Sequence, residues 1–144
     1  MPASLLIIDD DETITRVFAR VLRQAGFAVR TGCDAESALT QVTADPPEAI
    51  LVDLRMPMIN GVGFLYRLRQ QPRFQHLAVA VMTADLFVDD LVRREIDELG
   101  AHLHEKPVDR AGLVRIVRAL LDSPPASDAG GVEESSRGLP SVAV

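Results

Sequence analysis

The residues of this chain best equipped for chemistry stand where its short apolar runs stop. Ser4–Ile8 ends on Asp9, Asp10 and Asp11, and the run from Ala49 ends on Asp53. Leu77–Met82 runs into Thr83, and His102–Glu105 runs into Lys106. Apolar runs of this length without alternation are expected of strands buried on both faces of a parallel sheet. In open sheets of that kind, ligands bind beyond the carboxyl ends of the strands. Acids delivered there by neighbouring strands converge within several ångströms. Two carboxylates about 5 Å apart repel by roughly 3 kcal/mol at an effective dielectric of about 20. A purely structural role does not justify that repulsion, and a hard divalent cation removes it. An all-oxygen set of carboxylates suits Mg2+. Asp53 then keeps a free oxygen to attack phosphorus and form an acyl phosphate. Lys106 and the cation would neutralise the phosphoryl oxygens, and Thr83 would donate a hydrogen bond to one of them. Taken alone, Asp53 reads better as a cap; the other strand ends decide for chemistry.

The elements that must hold these groups follow from periodicity. Ile14, Val17, Phe18, Val21 and Leu22 recur at helical spacing, and Gly26 ends that helix. Phe27–Thr31 predicts a second strand. Ala35–Thr43 predicts a short helix with Ala38, Leu39 and Val42 inward, stopped before Pro46-Pro47. Beyond Asp53, Met56-Pro57 and Asn60-Gly61 signal a turn in which glycine takes backbone angles closed to other residues. A helix from about Gly61 to Gln70 buries Phe64, Leu65 and Leu68, and Pro72 closes it. Asp89–Leu99 is the next helix, with Leu91, Val92, Ile96 and Leu99 on one side and Gly100 at its end. Asp109 caps a last helix whose stripe is Leu113, Ile116, Val117, Leu120 and Leu121.

Strand and helix alternate throughout. That predicts an α/β fold, a doubly wound five-stranded parallel sheet of order 2-1-3-4-5 with helices on both faces. Strands 1 and 3 then meet at the switch point, which brings Asp9 and Asp10 beside Asp53. After Asp122 the composition turns to Ser, Pro, Gly and Ala. Residues 1–122 are expected to form the folded domain, and 123–144 to be a disordered tail.

With these motifs in order, the chain resembles the receiver domain of two-component response regulators. The resemblance rests on Asp9-Asp10, on the segment from Asp53 through Met56-Pro57 to Gly61, on Thr83-Ala84 and on Lys106-Pro107. It covers about residues 3–121. It implies a flavodoxin-like (CheY-like) fold and a phosphorelay role. Asp53 would accept a phosphoryl group from a phosphohistidine of a sensor histidine kinase or a histidine phosphotransfer protein. Asp10 and Asp53 would hold Mg2+ directly with the backbone carbonyl of Arg55, and Asp9 would hold it through water. Such a protein assists its own phosphorylation and dephosphorylation without being an enzyme in the usual sense. The resemblance also implies a cis Lys106–Pro107 bond. In the family's switch the threonine is drawn to the phosphoryl group, the loop after strand 4 moves, and an aromatic in strand 5 rotates. The face of helix 4, strand 5 and helix 5 is thereby reshaped for a downstream protein target or a homodimer. Here that aromatic position is Leu103, which has no hydroxyl and a smaller swing.

Composition sets the outer limits. The net charge of −6 argues against direct nucleic-acid binding, which needs a basic face. No apolar run is long enough to cross a bilayer and no secretory leader is present, so no membrane insertion is expected. A single cysteine, Cys33, excludes an internal disulfide and fits a cytoplasmic location. Of 15 basic residues only Lys106 is lysine, which suggests a position where a compact ammonium is required.

Three further features complete the reading. Arg55 and Asp85 each lie two residues past a site residue and flank its mouth, where they either pair over the phosphoryl group or stand as two solvated charges. His102 and His104 share one face of a strand; with no third soft ligand near them in sequence, they read as packing or surface histidines. Asp9-Asp10-Asp11-Glu12-Thr13 also fits the Asp-x-Asp-x-Thr nucleophile motif of haloacid-dehalogenase-like phosphatases, with Asp9 attacking. Against that rival, Glu12 replaces the usual glycine, and Met56-Pro57 and Lys106-Pro107 are left unexplained. A second rival is a binding module of the same fold that signals without phosphorylation.

Overall fold

The computed structural model describes residues 2–106 and 108–122. The expected cis bond at Pro107 and the tail over 123–144 lie outside the described residues. The chain runs β1 (Ser4–Ile8), α1 (Glu12–Gln24), β2 (Ala28–Gly32), α2 (Ala35–Ala44), β3 (Ala49–Asp53), α3 (Gly61–Arg69), β4 (Ala78–Thr83), α4 (Asp90–Glu98), β5 (His102–Glu105) and α5 (Arg110–Asp122). A 3-10 turn, Pro72–Phe74, follows α3. The sheet is parallel throughout, in the order β2-β1-β3-β4-β5. The expected fold class and strand order are therefore observed.

The sheet is sandwiched because its strands are apolar on both sides. Leu6, Ile8, Ile50, Val52, Val79 and Val81 pack on one face with Val42, Phe64, Leu68 and Ile96. Leu5, Ile7, Leu51, Ala80 and Met82 pack on the other with Leu22, Leu113 and Val117. Every residue of β3 is buried, Asp53 included. Helix starts are fixed locally by acids and Asn60. Asp11 accepts from the Thr13 and Ile14 amides, Asp34 from Ser37, Asn60 from Gly63, and Asp109 from Gly112. Gly26 and Gly100 end α1 and α4 with φ of 100° and 73°, where a side chain would be strained.

Two residues of the periodic apolar sets fall outside the buried stripes. Val17 is 52% exposed, since α1 turns Thr15, Ala19 and Leu22 to the sheet and leaves Val17 outside that stripe. Leu91 is 65% exposed, because Val92, Ile96 and Leu99 already form the inward row of α4. Strand β2 also lies one residue later than expected. Apolar spacing marks a stripe's width but not its centre, which the packing partner sets.

Candidate functional site

The site is built at the carboxyl edge of the sheet, where β1 and β3 are neighbours. The register pairs Ile8 with Val52. Asp9 therefore follows β1 beside Asp53, the last residue of β3. Oxygens of Asp9, Asp10 and Asp53 lie within 4.8 Å of one another, the convergence expected from the strand order. Asp9 and Asp53 are buried, and Asp10 is exposed. Asp9 is further fixed by the Asp11 amide, which donates to its Oδ1 at 2.9 Å.

Lys106 enters from β5 and joins the first and third strands. Its Nζ donates to Asp9 Oδ2 at 2.8 Å and to Asp53 Oδ1 at 2.9 Å. Its backbone amide continues the ladder by donating to the Thr83 carbonyl. The sequence placed Lys106 at this edge; its bridging of two carboxylates emerges only in three dimensions. The electrostatics are tightly opposed. Burial pushes the Asp53 carboxyl above its ordinary value; the Lys106 hydrogen bond and charge pull it down, and the charges of Asp9 and Asp10 add to the rise. Burial works against the Lys106 charge, but hydrogen bonds and charges from Asp9 and Asp53 outweigh it and raise the ammonium's pKa. The donor set fits a hard divalent ion: three carboxylates, one of them facing solvent, and no nitrogen or sulfur ligand among them.

Thr83, at the end of β4, is fully buried. Its Oγ1 accepts the Asp85 amide at 3.0 Å and keeps its own proton to donate. The Asp85 carboxylate in turn accepts from Arg55 Nε at 2.7 Å, closing an ion pair between the loops after β3 and β4. His102 is exposed and His104 half-buried, in keeping with surface and packing histidines. Leu103 is partly buried against the core on the α4 side of the sheet.

The turn after Asp53 corrects one expectation. Gly61 does not take left-handed angles; that conformation falls on the fully exposed Met58, with φ 71°. Gly61 is needed for close approach instead. A Cβ there would lie 2.7 Å from the Asp53 carbonyl oxygen and 3.1 Å from Leu54 Cα. Both neighbours are backbone and cannot swing away. Gly61→Ala is therefore expected to destabilise the fold by about 1–3 kcal/mol, read by denaturant unfolding, and to shift the backbone that carries Asp53. An unfolding midpoint equal to the parent's would refute that account.

Comparison with known proteins follows from this geometry. The family model described as the response regulator receiver domain matches residues 5–118. Transcriptional regulatory protein PrrA of Mycobacterium tuberculosis is 37% identical over 118 residues, covering 81% of this chain and 49% of that protein. Response regulator Rre1 of Synechocystis is 33% identical over 135 residues, covering 93% of this chain and 58% of that protein. The chain thus spans about half the length of these curated relatives. Among solved structures, the chemotaxis protein CheY4 of Vibrio cholerae superposes with a TM-score of 0.78 over 84% of this chain and 100% of that one. At 24% identity, that likeness speaks for the fold alone.

Proposed function

Since the chain belongs to the response regulator receiver domain family, we propose that it accepts a phosphoryl group on Asp53 from a phosphohistidine donor, in a reaction that requires Mg2+. The observation that carries this reading is the convergence of Asp9, Asp10 and Asp53 with Lys106 bridging two of them. Asp10, Asp53 and the Arg55 carbonyl would hold the metal, with Asp9 acting through water. Once bound, Mg2+ would screen the negative charge that otherwise repels a phosphoryl donor from three carboxylates.

The chain's own groups account for the remainder. A carboxylate oxygen of Asp53 forms a bond to phosphorus as the bond from phosphorus to the donor imidazole breaks, and the imidazole leaves as the neutral base after taking a proton. Lys106, held by Asp9, is placed to follow the charge as it passes from the carboxylate to the phosphoryl oxygens. Thr83 has a free hydroxyl proton for the same oxygens, and turning toward them would release the Asp85 amide. The loop after β4 would move with it. The signal would pass to a protein partner at the face of α4, β5 and α5, with a second copy as one such partner, and Leu103 leaves the aromatic part of that route without its usual group.

Treatment with a small acyl phosphate and Mg2+, followed by mass-spectrometric mapping, tests the assignment. Phosphate on Asp53, lost when the metal is chelated, is the expected result. Phosphate on Asp9 would favour the phosphatase-like rival. An amide spectrum unchanged by beryllofluoride and Mg2+ would favour a module that signals without phosphorylation.

The Arg55–Asp85 pair closes over this site and should slow water's access to the acyl phosphate. Both side chains are partly exposed, so the pair is worth at most about 1 kcal/mol. Arg55→Ala and Asp85→Ala should each shorten the acyl phosphate's lifetime roughly two- to fivefold, with no further loss in the double variant. Unchanged dephosphorylation rates in both single variants would remove the pair from the mechanism.

A further inference from the structure

Arg69, the last residue of α3, gives its whole guanidinium to backbone carbonyls. Its Nε donates to the Leu99 carbonyl at 2.8 Å, and one terminal nitrogen donates to Phe74 and Leu77 at 2.7 and 2.8 Å. The other terminal nitrogen reaches the Gly100 carbonyl at 3.5 Å. Arg69 is half-buried, yet among the described residues no carboxylate pairs with it. It therefore ties the end of α4 to the 3-10 turn and to the approach to β4.

The end of α4 needs such a group. A helix leaves its last carbonyls unpaired and its C-terminus partly negative, which favours a cation there. The last turn of α4 has no basic residue and carries Glu95, Asp97 and Glu98 instead. Left to its own sequence, that end would fray; Arg69 brings the missing cation from α3. A second link from α3 meets the same half, where the Tyr66 hydroxyl donates to Glu95 Oε2 at 3.0 Å. Ile96, the buried residue of α4, lies there too. The other half is held differently. Among the described residues, no side-chain hydrogen bond joins α3 to residues 90–94. Asp89 caps that end locally by accepting the Leu91 amide at 2.7 Å, and Leu86, Phe87 and Leu91 are exposed. This half follows directly on the loop whose Asp85 amide is held by Thr83.

We propose that Arg69 fixes the C-terminal end of α4 as a pivot, about which the N-terminal half swings when the loop after β4 moves. The pivot belongs to the unphosphorylated fold. The swing rests on phosphorylation of Asp53 as read above, and it carries Leu86, Phe87 and Leu91 while residues 99–101 stay in place. Arg69 is a positioning residue, since its donors go to backbone and to no group of the phosphoryl site.

Amide hydrogen exchange, read residue by residue by NMR, tests the pivot without any phosphoryl donor. In the parent, the Leu99 and Ala101 amides donate to the Glu95 and Ile96 carbonyls, and the Arg93 amide donates to Asp89. Leu99 and Ala101 should exchange about tenfold more slowly than Arg93. Arg69→Met should erase that difference while amides of β1 and β3 keep the parent's protection, and Arg69→Lys should fall between. Equal protection at the two ends of the parent's α4 would overturn the pivot, as would a loss in the variants spread evenly over the sheet. The parent's gradient and the lysine variant decide the matter even if Arg69→Met fails to fold. Beryllofluoride with Mg2+ then tests the swing. Amide shift changes in the parent should gather at residues 85–94 and be small at 99–101; in Arg69→Met they should spread to 99–101. Changes as large at 99–101 as at 86–91 in the parent would overturn the swing. A spectrum that stays unchanged although phosphate maps to Asp53 overturns the swing alone. Absence of phosphate on Asp53 overturns the functional reading and the swing with it, and the exchange rates still judge the pivot.

Discussion

Replacing Asp53 by Asn is expected to abolish phosphoryl uptake while making the metal-free protein more stable. The first effect follows because an amide oxygen is a poor nucleophile toward phosphorus and no other carboxylate of the site ends a strand as Asp53 does. Incorporation from an acyl phosphate should fall to background, and appreciable labelling of the variant would move the acceptor elsewhere. The second effect follows from linkage. The Asp53 carboxyl is pushed above its ordinary value of 3.8, first by burial. The unfolded chain therefore ionises at lower pH than the folded one. As pH rises from 3.8 through the higher folded value, stability is lost, and it then levels off. Asparagine has no proton to lose and escapes that loss. Thermal melts of metal-free protein at neutral pH should show the variant melting higher, with the difference vanishing in acid. A lower melting temperature would contradict the electrostatic account. Saturating Mg2+, at about 100 times its dissociation constant, should add about 2.7 kcal/mol to the parent and much less to the variant.

Lys106→Met should produce the opposite change in stability. The side chains of Lys106, Asp9 and Asp53 are only 10%, 5% and 10% exposed, so its loss leaves two buried carboxylates without their cation. Removing one partner of a buried ion pair costs about 3–5 kcal/mol. A deficit of about 3 kcal/mol is expected in metal-free protein at neutral pH, measured by urea unfolding. The deficit should shrink as pH falls and Asp53 takes up its proton. It should shrink in alkali for a different reason. The folded ammonium has its pKa raised above the usual 10.5, so its contribution is complete below that value and disappears as pH rises through the folded pKa. The variant should also gain more from Mg2+ than the parent, since the metal no longer competes with a lysine. Equal unfolding free energies at neutral pH would show that water already screens the carboxylates and that Lys106 serves the phosphoryl group alone.

These two variants test groups that were legible to different degrees. Asp9, Asp10, Asp53, Thr83 and Lys106 could be picked from the chain because each ends an apolar run, and parallel strands deliver such residues to one edge. Strand order followed from the alternation of strand and helix and from the handedness of crossovers. The element boundaries held to within a residue or two because caps such as Asp11, Asp34 and Asn60 act over only three residues of chain. By contrast, the exposure of Val17 and Leu91 was not legible, because helical spacing does not say which side of the stripe meets the sheet.

Sequence by itself determined the fold class, the edge at which chemistry occurs and the residue types gathered there, since these depend on local periodicity and topology. Tertiary structure alone decided how those groups are used before any ligand arrives. Lys106 turned out to bridge Asp9 and Asp53, separated from them by 97 and 53 residues. Gly61 proved to be required by the backbone of Asp53 pressing against it, when its own dihedral angles had been the expected reason. Such outcomes depend on distances between segments remote in the chain. Those distances are set by how whole faces pack, which no short window of residues encodes.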